Sequence, residues 1–261
     1  MPTRRDLLKA ALLSALVKPV AALLQLPASN AVTEQQKGDP DLPYEQVTFD
    51  PEAIRRLAVH PGKASFEKWD AHLPTAMITT ARNFLGFSRT SNPEQITEFL
   101  ALFGLPFRDK NGYVAFCAAG LSFCALMAYA NVVKPGYDKK ARLDQFRKLG
   151  PDLEHYYFCP TVSCVDMYHI AAGKRRWVDH KASPTTVPSP GWIVLYDWNH
   201  RGSPDHCGIV QHATKNKLFT VEFNTVPDTG NQRNGGTVAE RTRGYEFVSG
   251  FVVTDSRPDP T

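Results

Sequence analysis

The 261-residue sequence lacks a long uninterrupted apolar run, a C-x-x-C motif and a strong excess of charge of either sign. Its extended apolar stretch near the N-terminus is broken by Lys18 and Pro19, which disfavours a stable membrane-spanning helix. The absence of C-x-x-C argues against a thiol redox protein. The net charge of +4 includes +3 from residues 1–31, so the remaining +1 gives no electrostatic indication of nucleic-acid binding.

The composition is that of a globular protein with one good core, since 43% of the residues are hydrophobic and 21% are charged. Helical signals come first. The segment "SNPEQITEFLALFG" predicts a helix with Asn92 as N-cap, Pro93 as first helical residue and Gly104 as the stop. Its apolar residues recur at helical spacing and predict one core-facing side, made of Ile96, Phe99, Leu100 and Phe103.

Strand signals dominate after Gly191. Alternating and apolar segments predict five strands, at residues 192–198, 206–213, 217–224, 236–243 and 247–253. Short polar turns join them, so the sheet is expected to be antiparallel. Between the two halves, the sequence predicts a helix after Pro160 that ends near Gly173, followed by a loop. Helices followed by strands predict an α+β fold, with helices packed on an antiparallel sheet.

The N-terminal segment, residues 1–31, is interpreted as an export signal. Its block "TRRDLLK" resembles the twin-arginine signal, and Ser29-Asn30-Ala31 predicts cleavage after Ala31. We therefore expect an exported, periplasmic or otherwise extracytoplasmic protein that uses the twin-arginine translocase. Residues 32–74 are predicted to be a linker with a short helical segment near residues 51–59.

Five cysteines are an odd number for an exported chain, so one remains if the other four form disulfides. Sequence does not choose among the three pairings of Cys124, Cys159, Cys164 and Cys207. A zinc site made of Cys159, Cys164, His169 and Cys207 is a competing interpretation. Its C-x4-C spacing has no second matching pair, however, so we expect no metal.

The candidate nucleophile is Cys117 in "GYVAFCAAGLSFC", placed at the first turn of a predicted helix, where a thiolate is favoured. Cys124 lies two turns deeper on an inward stripe with Leu121, Ala125 and Ala128, as a packing residue or half of a disulfide. On the predicted strands, Glu222 and Asn224 share a face, as do His206 and Gly208, while Cys207 faces the other way. If the helix packs on this sheet, a thiol, an imidazole, a carboxylate and a carboxamide meet, as cysteine catalysis requires.

These motifs resemble those of the CHAP family, within the NlpC/P60-like papain-fold amidases and peptidases. The resemblance rests on "GYVAFCAAGLSFC", "PSPGWIVLYDWNHRGSPDHCGIVQ", "FTVEFNT" and "NGGTVAERTR…VSGFV", and covers residues 75–254. It implies a papain-like fold, Cys117 as nucleophile, His206 as general base, and Glu222 and Asn224 as the polar pair that orients the histidine. Residues 255–261 are then expected to be a disordered tail.

Four features depart from the family pattern. Phe116 stands where Trp or Tyr is usual, the acid of the usual "GD(I/V)V" is missing from "GWIV", and Cys207 replaces an apolar residue. The calcium-loop pattern of some members is absent, so no metal or other cofactor is expected.

The resemblance implies a monomeric hydrolase of amide bonds in peptidoglycan or muropeptides, acting through a thioester and binding no nucleic acid. The alternatives are a non-catalytic peptidoglycan-binding module that keeps the fold and a thiol redox protein. Which bond is cleaved, and the biological role, stay open at the level of sequence.

Overall fold

The structure is a computed structural model that describes residues 72–130, 139–149, 156–226 and 235–255. The predicted export signal, most of the predicted linker with its short helix, and residues 256–261 of the predicted tail lie outside these ranges. Within them the chain forms the helices α1 Leu73–Arg82, α2 Pro93–Ala101, α3 Cys117–Tyr129, α4 Lys139–Leu149 and α5 Cys164–Gly173. The strands are β1 Arg108–Asp109, β2 Gly112–Tyr113, β3 Trp177–Asp179, β4 Ile193–Tyr196, β5 His206–Ala213, β6 Leu218–Thr225, β7 Thr237–Arg243 and β8 Val248–Val252.

Helix α2 begins where its sequence predicts. Asn92 is the N-cap residue and Pro93 is the first helical residue. Gly104 takes a left-handed backbone, with φ of +70°, three residues after the helix ends at Ala101. The predicted apolar residues of this helix are buried, so the spacing identified its core-facing side correctly.

Helix α3 begins at Cys117 as predicted, but it does not have a single inward stripe. Residues 117–128 are all buried, because α1, α2 and α4 pack around the helix together with strands β5 and β6. The four residues of the predicted inward stripe are buried, and so are the residues on the other sides of the helix. A helix that is apolar on all sides belongs in the centre of a core, and neighbours from distant parts of the chain cover the faces that the prediction left open.

The main sheet is antiparallel, with strand order β3-β8-β4-β5-β6-β7. All five predicted strands agree with the structure to within a residue or two at each end. The first is shorter than predicted, because Asp197 accepts hydrogen bonds from the backbone N–H groups of Arg201 and Gly202 and so begins a turn. Strand β3 was not predicted. Helix α5 begins at Cys164, four residues after Pro160, and the Ser163 side chain caps it by accepting a hydrogen bond from the backbone N–H of Asp166.

The sheet has a buried cluster of apolar residues on each face. Ile193 and Leu195 face the helices, whereas Val194 and Tyr196 alternate to the other face. Gly120 allows α3 to lie close to β6, since a Cβ atom at this position would overlap the ring of Phe223. The close packing of α3 on the sheet carries Cys117 to the ends of the strands that bear the other candidate residues.

Candidate active site

Cys117 is the first residue of α3 and is 6% exposed. Phe116, the N-cap, has a non-helical backbone and offers no capping side chain. The short β1–β2 hairpin before it turns at residues 109–112, where Asp109 accepts a hydrogen bond from the backbone N–H of Asn111 at 2.7 Å. The first turn of a helix has free backbone N–H groups and a positive dipole end, so the thiol lies where an anion is stabilised.

His206 is the first residue of β5 and is fully buried. Its Nε2 lies 3.1 Å from Oε2 of Glu222 on the neighbouring strand β6. Strand register brings the two together, because Gly208 pairs directly with Glu222. A Cβ atom on Gly208 would lie 2.8 Å from Cγ of Glu222. The glycine therefore leaves the space through which the carboxylate reaches the imidazole.

The carboxylate of Glu222 is held by a buried set of donors. Arg243 on β7 donates from Nε to Oε1 at 2.9 Å and from its terminal nitrogen to Oε2 at 2.6 Å. The hydroxyl groups of Thr220 and Thr225 donate to the same carboxylate at 2.9 and 3.3 Å. A two-pronged guanidinium–carboxylate pair fixes orientation as well as charge. The Glu222 carboxylate is therefore held in a fixed orientation toward the imidazole.

Asn224 has a different partner. Its Oδ1 accepts a hydrogen bond from the Arg89 guanidinium at 2.6 Å, and its backbone is left-handed, with φ of +59°. The pairing of β6 with β7 is irregular between Glu222 and Thr225, where an extra residue is inserted on β6. Glu222 thus contacts the histidine directly, and Asn224 contacts an arginine from the segment between α1 and α2. The sequence predicted, from strand alternation, that Glu222 and Asn224 together orient the histidine. Strict alternation does not hold at this position.

Aromatic side chains shield the histidine. Tyr196 stacks on the His206 ring at 6.0 Å between centroids, and the Trp198 ring lies 6.3 Å away. The guanidinium of Arg243 lies over the same Trp198 ring, 5.1 Å from its centroid. Apolar rings keep water from the His206–Glu222–Arg243 group, so the interactions between its charges are less screened than they would be in water.

The environment shifts the pKa values of the candidate residues in directions that favour an ion pair. Hydrogen bonds from the thiols of Cys164 and Cys207 hold the pKa of Cys117 well below its ordinary value against the effect of burial, and His206 adds to the lowering. Burial by itself lowers the pKa of His206, but its interactions with Cys117 and Glu222 outweigh this and raise the pKa to about 9. Thiolate and imidazolium therefore stabilise each other.

The pKa of Glu222 shifts in the opposite direction. Burial alone raises it, yet hydrogen bonds from Arg243 and His206 prevail and lower it to about 2. The carboxylate is consequently ionised above about pH 2, and the histidine is protonated up to about pH 9, so both are charged between these values.

All five cysteines are buried, and none of the possible disulfides is formed. Cys124 is a packing residue inside α3. The sulfur atoms of Cys117, Cys164 and Cys207 lie within 4.8 Å of one another. Among the described residues this cluster does not include Cys159 or His169, so the zinc set considered from the sequence is not assembled.

Sequence reasoning missed Arg243, Arg89 and the approach of Cys164 to Cys117. Arg243 lies in the predicted strand "GTVAERTR", but only its pairing with β6 shows that it reaches Glu222. Cys164 comes from a helix 47 residues further along the chain than Cys117, with the two sulfurs 4.0 Å apart. No local spacing in the sequence signals either contact.

A scan of protein-family models and a search of curated proteins both give no match to this chain. Within the described ranges, no helix is long and apolar enough to cross a membrane. The chemistry of the site therefore follows from its own residues: a thiol of lowered pKa, a buried imidazole of raised pKa, and a carboxylate fixed by an arginine.

Proposed function

We propose that the protein is a cysteine-dependent hydrolase of amide bonds in bacterial peptidoglycan, with a papain-like fold of the CHAP type. The observation that carries this proposal is the placement of Cys117 at the start of α3, where its thiol interacts electrostatically with the His206 imidazole, whose Nε2 binds the Glu222 carboxylate. This is the set of groups required for acyl transfer by a thiolate. The choice of peptidoglycan rests on the motif resemblance and on the predicted export signal.

The reaction proceeds in two steps. The Cys117 thiolate attacks the amide carbonyl, and backbone N–H groups at the start of α3 stabilise the oxyanion. The His206 imidazolium gives its proton to the departing amine, leaving a thioester on Cys117. The neutral imidazole then takes a proton from water, which hydrolyses the thioester and releases the acid. Glu222 holds the imidazole ring and stabilises its charged form, while Arg243 holds Glu222.

Mass spectrometry of the fragments released from purified peptidoglycan tests the proposal. We expect fragments with new amino and carboxyl ends and an intact glycan backbone, because the chemistry cleaves amides. Their masses distinguish the muramoyl–alanine amide from stem-peptide and cross-bridge bonds. The Cys117→Ala variant serves as the matched control. Absence of new fragments, or cleavage of glycosidic bonds alone, would contradict the proposal.

We further propose that the protein is exported by the twin-arginine translocase. The combined change Arg4→Lys and Arg5→Lys is expected to keep it in the cytoplasm, because the paired arginines are the recognised feature of the signal. Cell fractionation followed by immunoblotting measures the distribution, with Lys9→Arg as a charge-conserving control that should still be exported. Normal export of the double variant would show that another signal directs the protein.

A further inference from the structure

The cluster of Cys117, Cys164 and Cys207 has a geometry that the proposed hydrolysis does not require. Each sulfur comes from a different element, namely the first residue of α3, the first residue of α5 and the second residue of β5. All three side chains are buried, and the three sulfurs lie within 4.8 Å of one another. Cys124 and Cys159 are equally buried but do not join them, so burial of small apolar side chains does not account for the convergence.

The spacing of the sulfurs fits a metal–thiolate site. Zinc–sulfur bonds of about 2.3 Å in a tetrahedral site place two sulfurs about 3.8 Å apart. The Cys117 and Cys164 sulfurs are 4.0 Å apart, and no pair in the cluster exceeds 4.8 Å. A change of about 1 Å or less in each separation therefore brings all three within bonding distance of one ion.

A fourth ligand lies beside the cluster, although His206 is not among the residues whose ligand atoms all lie within 4.8 Å of one another. His206 interacts with Cys117, and its Nδ1 is buried with no hydrogen-bond partner among the described residues. Its Nε2 is already engaged by the Glu222 carboxylate. Histidine ligands of zinc characteristically donate their second ring nitrogen to a carboxylate, which fixes the ring and raises its basicity. The Glu222 contact thus leaves Nδ1 as the ring nitrogen that can bind a metal.

A nearby arginine offsets part of the charge that a bound metal would leave. Three thiolates and one divalent cation leave a net charge of −1 in a buried position, which requires a nearby cation. The Arg89 guanidinium interacts electrostatically with Cys117 and is anchored by hydrogen bonds to Asn224 and to the carbonyl of Val114. Glu222 and Arg243 neutralise each other. Asp205 interacts electrostatically with Cys164 and adds negative charge, so the surroundings compensate the charge of the occupied site only in part.

We propose that Cys117, Cys164 and Cys207 bind one thiophilic divalent cation of the Zn²⁺ class, and that Nδ1 of His206 moves toward the three sulfurs to become the fourth ligand. Binding releases the thiol protons to solvent as metal–sulfur bonds form. This inference goes beyond the proposed function. An ion at this position engages a lone pair of the Cys117 sulfur. The metal-bound protein is therefore inactive as a hydrolase, and removal of the ion restores the activity.

Metal titration of the full-length, reduced, metal-free protein tests the inference. Competition with a chromogenic chelator is expected to show one Zn²⁺ per chain. Co²⁺ in place of Zn²⁺ is expected to give the absorption of a tetrahedral site with sulfur-to-metal charge transfer. Cys164→Ser and Cys207→Ser should each weaken binding at least about 10-fold, since even second-shell changes have effects of this size. Cys124→Ala, which removes a buried thiol outside the cluster, should bind as the parent does.

Failure of the reduced parent protein to bind stoichiometric metal would overturn the inference, as would equal binding by the parent and both serine variants. Circular dichroism checks the fold of each variant. If Cys207→Ser does not fold, Cys164→Ser and Cys117→Ser carry the same test. Because binding is measured without substrate, failure of the metal site and failure of the proposed hydrolase are separate results.

Discussion

Replacement of Cys117 by alanine is expected to abolish hydrolysis of purified peptidoglycan while the fold is retained. The thiolate forms the covalent bond to the substrate, and no other described thiol shares both the helix start and the contact with His206. Removal of a catalytic nucleophile typically lowers the rate by a factor on the order of 10⁴ or more. Cys117→Ser should be equally inactive, since a serine hydroxyl does not ionise in this environment as a thiol does.

Release of soluble fragments from peptidoglycan measures this effect, and circular dichroism and thermal unfolding measure the fold. Cys124→Ala is the matched control, because Cys124 is a buried cysteine of the same helix that lies seven residues from the nucleophile. It should retain activity. Full activity of Cys117→Ala would remove the basis of the proposed function.

Glu222→Gln is expected to narrow the pH range in which Cys117 and His206 form an ion pair. The carboxylate helps to raise the pKa of His206 to about 9, so its loss lowers that pKa. The thiolate then loses part of its stabilisation by imidazolium, and its formation shifts to higher pH. Asn224→Ala should change this range less, because the Asn224 carboxamide contacts Arg89.

Alkylation of Cys117 by iodoacetamide across pH gives the measurement in the parent and both variants. Thiol and imidazole titrate together, so the two inflections belong to the pair. If Asn224→Ala moves the profile while Glu222→Gln leaves it unchanged, Asn224 is the group that supports the histidine. If neither variant changes the profile, the third member of the site lies elsewhere.

The same Glu222→Gln change should lower the free energy of unfolding by about 3 kcal/mol, because it breaks a buried ion pair and leaves Arg243 uncompensated. The loss depends on pH. Glu222, whose pKa falls from 4.5 to about 2 on folding, stabilises the protein fully above pH 4.5 and loses this effect as pH falls toward 2. His206, whose pKa rises from 6.5 to about 9, contributes fully below pH 6.5 and loses its contribution as pH rises through 9.

Chemical unfolding of the parent and Glu222→Gln at several pH values checks this dependence. The difference between the two proteins should be largest between pH 4.5 and 6.5 and should shrink as pH rises through about 9. A difference that does not vary with pH would show that Glu222 stabilises the fold without a charge interaction with His206.

The sequence alone predicted the local features of this protein. The segment "GYVAFCAAGLSFC" predicted a helix that begins at Cys117, and helical spacing identified the buried side of α2. Alternation and short turns predicted the antiparallel strands that carry His206 and Glu222. These features depend on backbone preferences and periodicity within a few residues, and such information is present in each segment by itself.

The tertiary structure decided which side chains meet. Glu222 contacts His206, whereas Asn224 contacts Arg89. The two differ because β6 contains an extra residue and Asn224 has a left-handed backbone. Strand pairing brings Arg243 to the Glu222 carboxylate, and helix packing brings Cys164 and Cys207 to Cys117. Each of these contacts joins segments that are distant in the chain. Strand register and packing of the whole core set the geometry of these contacts. No single segment of the sequence contains that information.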